Sequence, residues 1–415
     1  MVYDCVVIGG GAAGLTAAVF LGRAAAAAGG KRILLLEKGP RPGKKLLATG
    51  NGTCNLTNIR ADESRYHGCP ALAAHALRAL PPSETVAFFA SAGVDCRIRE
   101  DGRVYPYSEQ AAAVLDALRL EAAALGVELV CDRPALSLEQ IPGGWRIDTP
   151  AGALDAAAVL VCTGGAAAPA LGGSTEGYGL LTGLGLQKTP LFPSIVQLRT
   201  DTAFVRAVKG IRVEAGVELR LDGQVCGATA GEVLFTDYGL SGPAVMQISR
   251  PAGDWERRQR GRLTAVLDLL PDWDPSALEQ RIRERSALPG RTLEDLLTGL
   301  LHKRVGQTVL RAAEILPLTR PVQTLTAAEC RRAAVLCKHW ELPVLGTKGF
   351  GGAQVTAGGI DARQVEPDTM GLRGYPGLYA AGELLDVDGD CGGFNLQFAF
   401  SSAYVAAQAI AAGWK

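Results

Sequence analysis

The chain predicts an α/β protein whose dinucleotide-binding domain is assembled from both ends and interrupted by a β-rich insertion with a helical piece inside. Three observations carry this reading. Residues 3–14, YDCVVIGGGAAG, run from a buried-strand pattern straight into a glycine turn and on into an alanine-rich helix. From about Phe192, short alternating strands replace that pattern and then give way to charge-dotted helical segments over 274–340. Strand patterns resume at Gln354–Ile360, and the chain closes on Gly377-Leu-Tyr-Ala-Ala-Gly-Glu383 and an amphipathic helix.

The turn reads Gly-x-Gly-x-x-Gly at Gly9, Gly11 and Gly14, with Ala12 and Ala13 between the last two. Gly9 makes the tight turn, Gly11 lets backbone approach a pyrophosphate, and Gly14 lets the helix pack close on the strand. The anion then meets free N–H groups at a helix N-terminus, where the macrodipole favours negative charge. A second apolar strand, Arg32-Ile-Leu-Leu-Leu-Glu37, ends in a carboxylate 23 positions after Gly14. Such a carboxylate accepts the hydroxyl protons of an adenosine ribose. Lys38 follows, yet Glu37 itself would repel a 2′-phosphate.

Beyond this unit comes a basic, glycine-rich loop, Lys38–Lys45, and then the polar stretch Leu46–Asn58, in which Asn51, Gly52 and Asn55 are candidate ligand contacts. A compact fold usually spends a polar loop of this length on a ligand. Helical periodicity returns over 70–92 and 108–125, with short strand-like pieces from Val94 to Tyr107. Gly126–Cys131 reads as the next core strand, with Leu129 and Val130 on the cofactor side. Trp145–Thr149 and Gly152–Asp155 resemble an antiparallel excursion. Ala157–Gly165 is a buried strand whose small-residue end, Thr163, Gly164 and Gly165, can approach the cofactor.

Further along, Ile195–Leu198, Val213–Leu221, Gln224–Cys226 and Leu263–Leu267 alternate with period two, as in a small antiparallel sheet or barrel. Asp274–Arg285, Thr292–Gly299 and Ala327–Lys338 read as helical. The expected domains are therefore 1–192 with 350–415 (dinucleotide binding), 193–273 with 341–349 (β-rich), and 274–340 (helical).

Composition narrows the function. Among 415 residues, Lys+Arg and Asp+Glu number 42 each, so nothing indicates a nucleic-acid surface or a polybasic membrane anchor. No apolar stretch is long enough to span a bilayer, and the N-terminus lacks a basic leader. Ten scattered cysteines with no C-x-x-C pair read as reduced thiols of a cytoplasmic protein. The four histidines show no ligand spacing, so no metal site is expected.

Several segments together carry a resemblance. Gly9–Gly14 with Glu37, Ala158–Gly165 and the segment 376–388, PGLYAAGELLDVD, resemble the large FAD-dependent oxidoreductase class. More specifically, the chain is similar to the YhiN/BaiN-like flavoproteins through Thr49–Asn58, Gly102–Pro106, Gly231–Pro243, Val355–Gly359 and Asp388–Gln397. These anchors span the whole chain. The resemblance implies FAD bound in extended form, a β-barrel-like insertion and a helical cap around a Rossmann-like domain. It implies that Gly382, Glu383 and Asp386 meet the flavin side of the cofactor. It also places Gly392, Gly393, Phe394 and Asn395 at a helix start aimed at the flavin N1–C2=O edge. Two departures stand out: Asp237 where the family pattern has His, and Cys391 where it has Thr. Cys54 and Cys391 read as packing thiols rather than redox partners.

The resemblance implies an FAD-dependent oxidoreductase acting by hydride transfer through flavin N5. The reading it favours is an NAD(P)H-linked reductase of a small or steroid-like unsaturated substrate. No second Gly-x-Gly-x-x-Gly follows a strand, so NAD(P)H would bind transiently in the substrate cleft. Lys348, Asp237 and Tyr238, in motif loops, are the candidate proton-transfer residues, and no histidine is expected in that role. The rivals are an amine oxidase returning electrons to O2 and a flavin-containing binding or regulatory protein. The oligomeric state is not legible.

Overall fold

In the computed structural model, which describes residues 2–414, the chain divides into two compact units. Met1–Phe192 and Gln354–Lys415 form one, and Pro193–Ala353 forms the other.

The first unit is built on a parallel sheet. In spatial order its strands are Glu128–Val130, Ile33–Leu36, Val2–Ile8, Leu154–Val161 and Leu378–Ala380. All four pairings are parallel. Strands buried on both faces read as continuous apolar runs, which is why Ile-Leu-Leu-Leu and Val-Val-Ile show no alternation. An antiparallel hairpin, Ser137–Ile141 with Gly144–Asp148, extends from Leu154–Ala156. Short antiparallel strands at Gly371–Leu372 and Val365–Glu366 finish the opposite side.

The helix Ala12–Ala27 crosses this sheet with ten of its residues buried, most of them Ala, Gly or Val. Their small size lets it lie close to the terminal helix, Phe394–Ala412, whose Phe398, Phe400, Ala403 and Ala407 are also buried. Phe20 joins the two by packing against Tyr404, ring centroids 4.8 Å apart. No helix among the described residues is long and apolar enough to cross a membrane.

The second unit contains a closed six-stranded antiparallel barrel. Its order is Leu198–Thr200, Gly239–Ser241, Gln224–Phe235, Arg212–Leu221, Leu263–Asp268 and Trp340–Thr347. Period-two alternation puts Ala215, Val217 and Leu219 inside, with Val233, Phe235, Leu263, Ala265, Leu267 and Trp340. Helices Pro275–Ser286, Lys303–Ala312 and Ala327–Lys338 share this core through Leu278, Ile282, Val309 and Ala333. Two of them carry their own N-caps. Asp274 accepts from Ser276 N and Ala277 N, and Thr326 forms a capping box with Glu329.

Candidate functional site

The glycine turn leaves the end of the first strand with the geometry that its spacing implies. Gly9 sits at φ +106°, and a Cβ there would lie 2.5 Å from Cys162 O. At Gly14 a Cβ would lie 1.8 Å from Gly9 O, so the helix packs on the turn only because no side chain intervenes. A Cβ on Gly11 would meet nothing within 4 Å. That open face is where a ligand can approach backbone. The helix begins there with Gly11 as N-cap, no side-chain cap and no acidic residue in its first turn. Its N–H groups and dipole are thus left to an anion.

Glu37 does more than wait for a ribose. Its Oε2 accepts from Gly10 N at 2.8 Å and its Oε1 from Gly39 N at 2.7 Å. The carboxylate therefore staples the glycine turn to the end of its own strand, and each oxygen keeps a further lone pair for a hydroxyl. Lys38 turns elsewhere: its Nζ contacts Ser174 Oγ at 2.8 Å and Glu176 at 2.9 Å. Leu129 and Val130 pair with Leu35 and Leu36, and Val130 O accepts from Glu37 N.

At the end of the strand Leu154–Val161, Gly165 leaves room for Thr356 and Glu383, which a Cβ would approach to 2.5 and 2.9 Å. Thr163 Oγ1 is buried without a partner. Thr356 Oγ1 accepts from Ala167 N at 2.9 Å, and Thr356 N donates to Glu383 Oε1 at 2.8 Å. Glu383 Oε2 receives Lys45 Nζ at 2.6 Å. Gly382, at φ +76°, puts its Cα face against Ala13. Asp386 O accepts from Cys69 N at 2.9 Å.

The polar stretch after Lys45 is a tight structure rather than an open loop. Leu46–Gly52 forms 3-10 turns broken by left-handed Gly50 and Asn51, at φ +56° and +54°. Asn51 and Gly52 are exposed, whereas Asn55 Oδ1 is buried and unpartnered. Opposite it the terminal helix begins at Phe394, with Gly393 as N-cap at φ +99°, no side-chain cap and no acid in its first turn. A Cβ on Gly393 would lie 2.9 Å from that orphan oxygen. Gly392 O accepts from Asn58 Nδ2 at 3.1 Å. The Asn395 amide is spent locally, bonding Gly389 N and O at 2.8 Å each.

These observations fit an extended dinucleotide. Two uncapped helix starts supply donors, an open glycine face admits backbone contact, and Asn55 and Thr163 hold buried polar atoms with no protein partner. Buried polar groups are ordinarily paired, so an orphan such as Asn55 Oδ1, beside an uncapped helix start, points to a ligand. Lys45 and Thr356, bonded to Glu383, and Thr57 and Gln397, bonded to each other beside the terminal helix start, were not singled out by sequence reasoning. Lys45 hides in a basic run, and the other three look like ordinary strand or helix polar residues.

The proton-transfer candidates lie in the second unit. Asp237 is exposed, and Lys209 Nζ bonds its Oδ2 at 2.6 Å, which holds the carboxyl below the usual range. Lys348 Nζ sits 4.5 Å from the centroid of the Tyr238 ring, a cation–π pair. Neighbouring Gln197 Oε1 is buried without a partner. Cys391 is a thiol whose acidity burial suppresses, with Arg103 opposing that shift and Asp390 adding to it. Burial likewise pushes the Cys54 thiol up to about 12. All ten cysteines are free.

Comparison with known proteins extends the picture. The family described as HI0933-like protein Rossmann domain matches residues 3–409. A 3-dehydro-bile acid delta(4,6)-reductase of Clostridium scindens is 36% identical over 409 residues, covering 98% of each chain. A ribosomal RNA dihydrouridine synthase of Escherichia coli is 31% identical over 421 residues, covering 99% of this chain and 98% of its own. Among solved structures, a 3-ketosteroid delta1-dehydrogenase from Sterolibacterium denitrificans shares the fold. Its TM-score is 0.53 at 13% identity, over 99% of this chain and 100% of that one.

Proposed function

The chain belongs to the HI0933-like family of FAD-dependent oxidoreductases, and from that premise we propose that it reduces a carbon–carbon double bond conjugated to a carbonyl. The observation that carries this is a reaction shared by two relatives that each align over nearly the whole chain. A delta(4,6) bile acid bearing a 3-oxo group and a uridine ring both offer a C=C in conjugation with C=O. When bound, FAD supplies the hydride chemistry, and the protein supplies position, dryness and a proton. We take the electron donor to be NAD(P)H, bound transiently.

Tyr238 is the proposed donor of the proton that the carbon next to the carbonyl must receive. The Lys348 ammonium over its ring holds the ring in place through a cation–π contact. Asp237, held ionised by Lys209, is unsuited to donate and acts instead to fix the loop. The substrate is a small, steroid-like enone in this reading.

A second reading has its own support: the Escherichia coli relative and a 28% identical protein of Haemophilus influenzae both bear the ribosomal RNA dihydrouridine synthase name. The balanced charge of the chain favours the small molecule. Anaerobic incubation with NADH or NADPH and either a 3-oxo-4,6-diene steroid or unmodified ribosomal RNA decides between them. Saturated steroid with no dihydrouridine supports the first reading. Dihydrouridine in the RNA supports the second, and reduction of neither sinks the proposal.

A further inference from the structure

The terminal helix is alanine- and phenylalanine-rich, yet it buries Gln397 and Ser401 with no exposure at all. Burying an amide in an apolar core is costly unless every polar atom is bonded. Here every one is. Thr57 Oγ1 donates to Gln397 Oε1 at 2.5 Å. The two hydrogens of Gln397 Nε2 are shared among three acceptors, Leu80 O at 2.9 Å, Thr85 Oγ1 at 2.9 Å and Ser401 Oγ at 2.8 Å. Ser401 Oγ in turn donates to Leu80 O at 2.7 Å. A leucine would fill the same space, but apolar contacts tolerate sliding. A satisfied polar network accepts only one rotation and one axial position.

The register it fixes matters at the other end of the helix's first turn. Thr57 lies two residues after Asn55, and Asn58 Nδ2 holds Gly392 O at 3.1 Å. The helix start touches the same segment, since a Cβ on Gly393 would lie 2.6 Å from Thr57 C and O. Free helical N–H donors therefore stand beside one buried, unpartnered carbonyl acceptor, Asn55 Oδ1. Donors next to an acceptor complement an imide edge, C(=O)–N(H)–C(=O), and the pyrimidine end of a flavin carries one.

We propose that Gln397 is a positioning residue of the cofactor site: through Thr57 it locks the uncapped helix start against Asn55, so that donors and acceptor together read the flavin imide edge. The proposal rests on FAD as the occupant of this cradle and is independent of which substrate is reduced.

The test is Thr57→Val, which keeps shape but removes the hydroxyl, beside Thr57→Ser, which keeps the hydroxyl. Apoprotein of each is titrated with FAD, and the visible band of the bound flavin is recorded without any substrate. Thr57→Val is expected to bind FAD about 10-fold more weakly with a shifted band, and Thr57→Ser to match the wild type within about twofold. Wild-type affinity and spectrum in Thr57→Val overturn the proposal, as does a Thr57→Ser protein as weak as Thr57→Val. A Thr57→Val chain that does not fold also overturns it, because the hydroxyl would then serve the core and not the site.

Discussion

Lys45 and Glu383 stand 338 positions apart and meet as an ion pair, Nζ to Oε2 at 2.6 Å. One comes from the N-terminal stretch of the dinucleotide unit and the other from its C-terminal stretch. Thr356 N occupies the second carboxylate oxygen, so Glu383 binds three segments into one wall.

Removing that carboxylate separates its two duties. Glu383→Ala leaves Thr356 N–H and the Lys45 ammonium unpaired. It should lower stability by about 1–2 kcal/mol, a modest figure because the pair is partly exposed. FAD retention should fall with it. Glu383→Gln preserves the acceptor for Thr356 and should recover most of the melting temperature. Thermal melts of the two FAD-free variants check this, and equal melting would show that the bond from Thr356 N to Glu383 does not hold these segments together.

Two glycines of one turn should fail in opposite ways. Gly14→Ala drives a methyl to 1.8 Å from Gly9 O, a backbone clash no rotamer relieves. It should cost about 3 kcal/mol or more. Gly11→Ala points into open space and should cost no more than about 1 kcal/mol, the loss of a glycine N-cap, while sharply weakening FAD binding. Chemical denaturation paired with FAD titration separates them. A Gly11→Ala protein with normal FAD affinity would move the pyrophosphate away from this turn.

Thiol chemistry offers a check on burial. Cys54 is fully buried and its thiol is pushed up to about 12, so it stays protonated at pH 8. Cys226 is exposed, and although burial raises its pKa somewhat, reagent reaches it. Iodoacetamide at pH 8, followed by peptide mass spectrometry, should label Cys226 first and Cys54 only after unfolding. Equal labelling rates would contradict the packing around Leu46–Asn58.

For the proton donor, Tyr238→Phe should cut turnover with the true acceptor by about 10²–10⁴-fold while leaving the bound-flavin spectrum unchanged. Lys209→Met should have little effect if Asp237 serves only to fix its loop. Rapid-mixing measurement of flavin reoxidation by substrate reads both. A Tyr238→Phe enzyme as fast as the wild type would reassign the proton to water.

The parts of the fold legible beforehand were those encoded locally. Gly9 to Gly14 follows a buried strand and opens a helix, so its turn geometry is readable without knowledge of the rest. The barrel announced itself through alternation such as Ala215, Val217 and Leu219. The contacts of Glu37 were half legible, since a strand-end carboxylate promises ribose contacts but says nothing of its grip on Gly10 and Gly39. Lys45, Thr356 and Gln397 escaped because their roles depend on partners hundreds of residues away. The side-chain amide of Asn395 bonds Gly389, a local choice that composition does not distinguish, while its backbone N–H stays at the helix start.

The strand Leu378–Ala380 slots in parallel beside Leu154–Val161, yet the ribosome makes more than two hundred residues between them. At about 5–20 residues per second, that is roughly 10–40 s during which the nascent sheet has an unfinished flank. The inserted barrel has time to close on its own before the terminal segment arrives. Throughout that interval the backbone of Leu154–Val161 is a template for any passing extended chain. Overexpression at high temperature should therefore yield aggregates rich in the N-terminal portion, a liability set by the order of synthesis and not by the stability of the finished molecule.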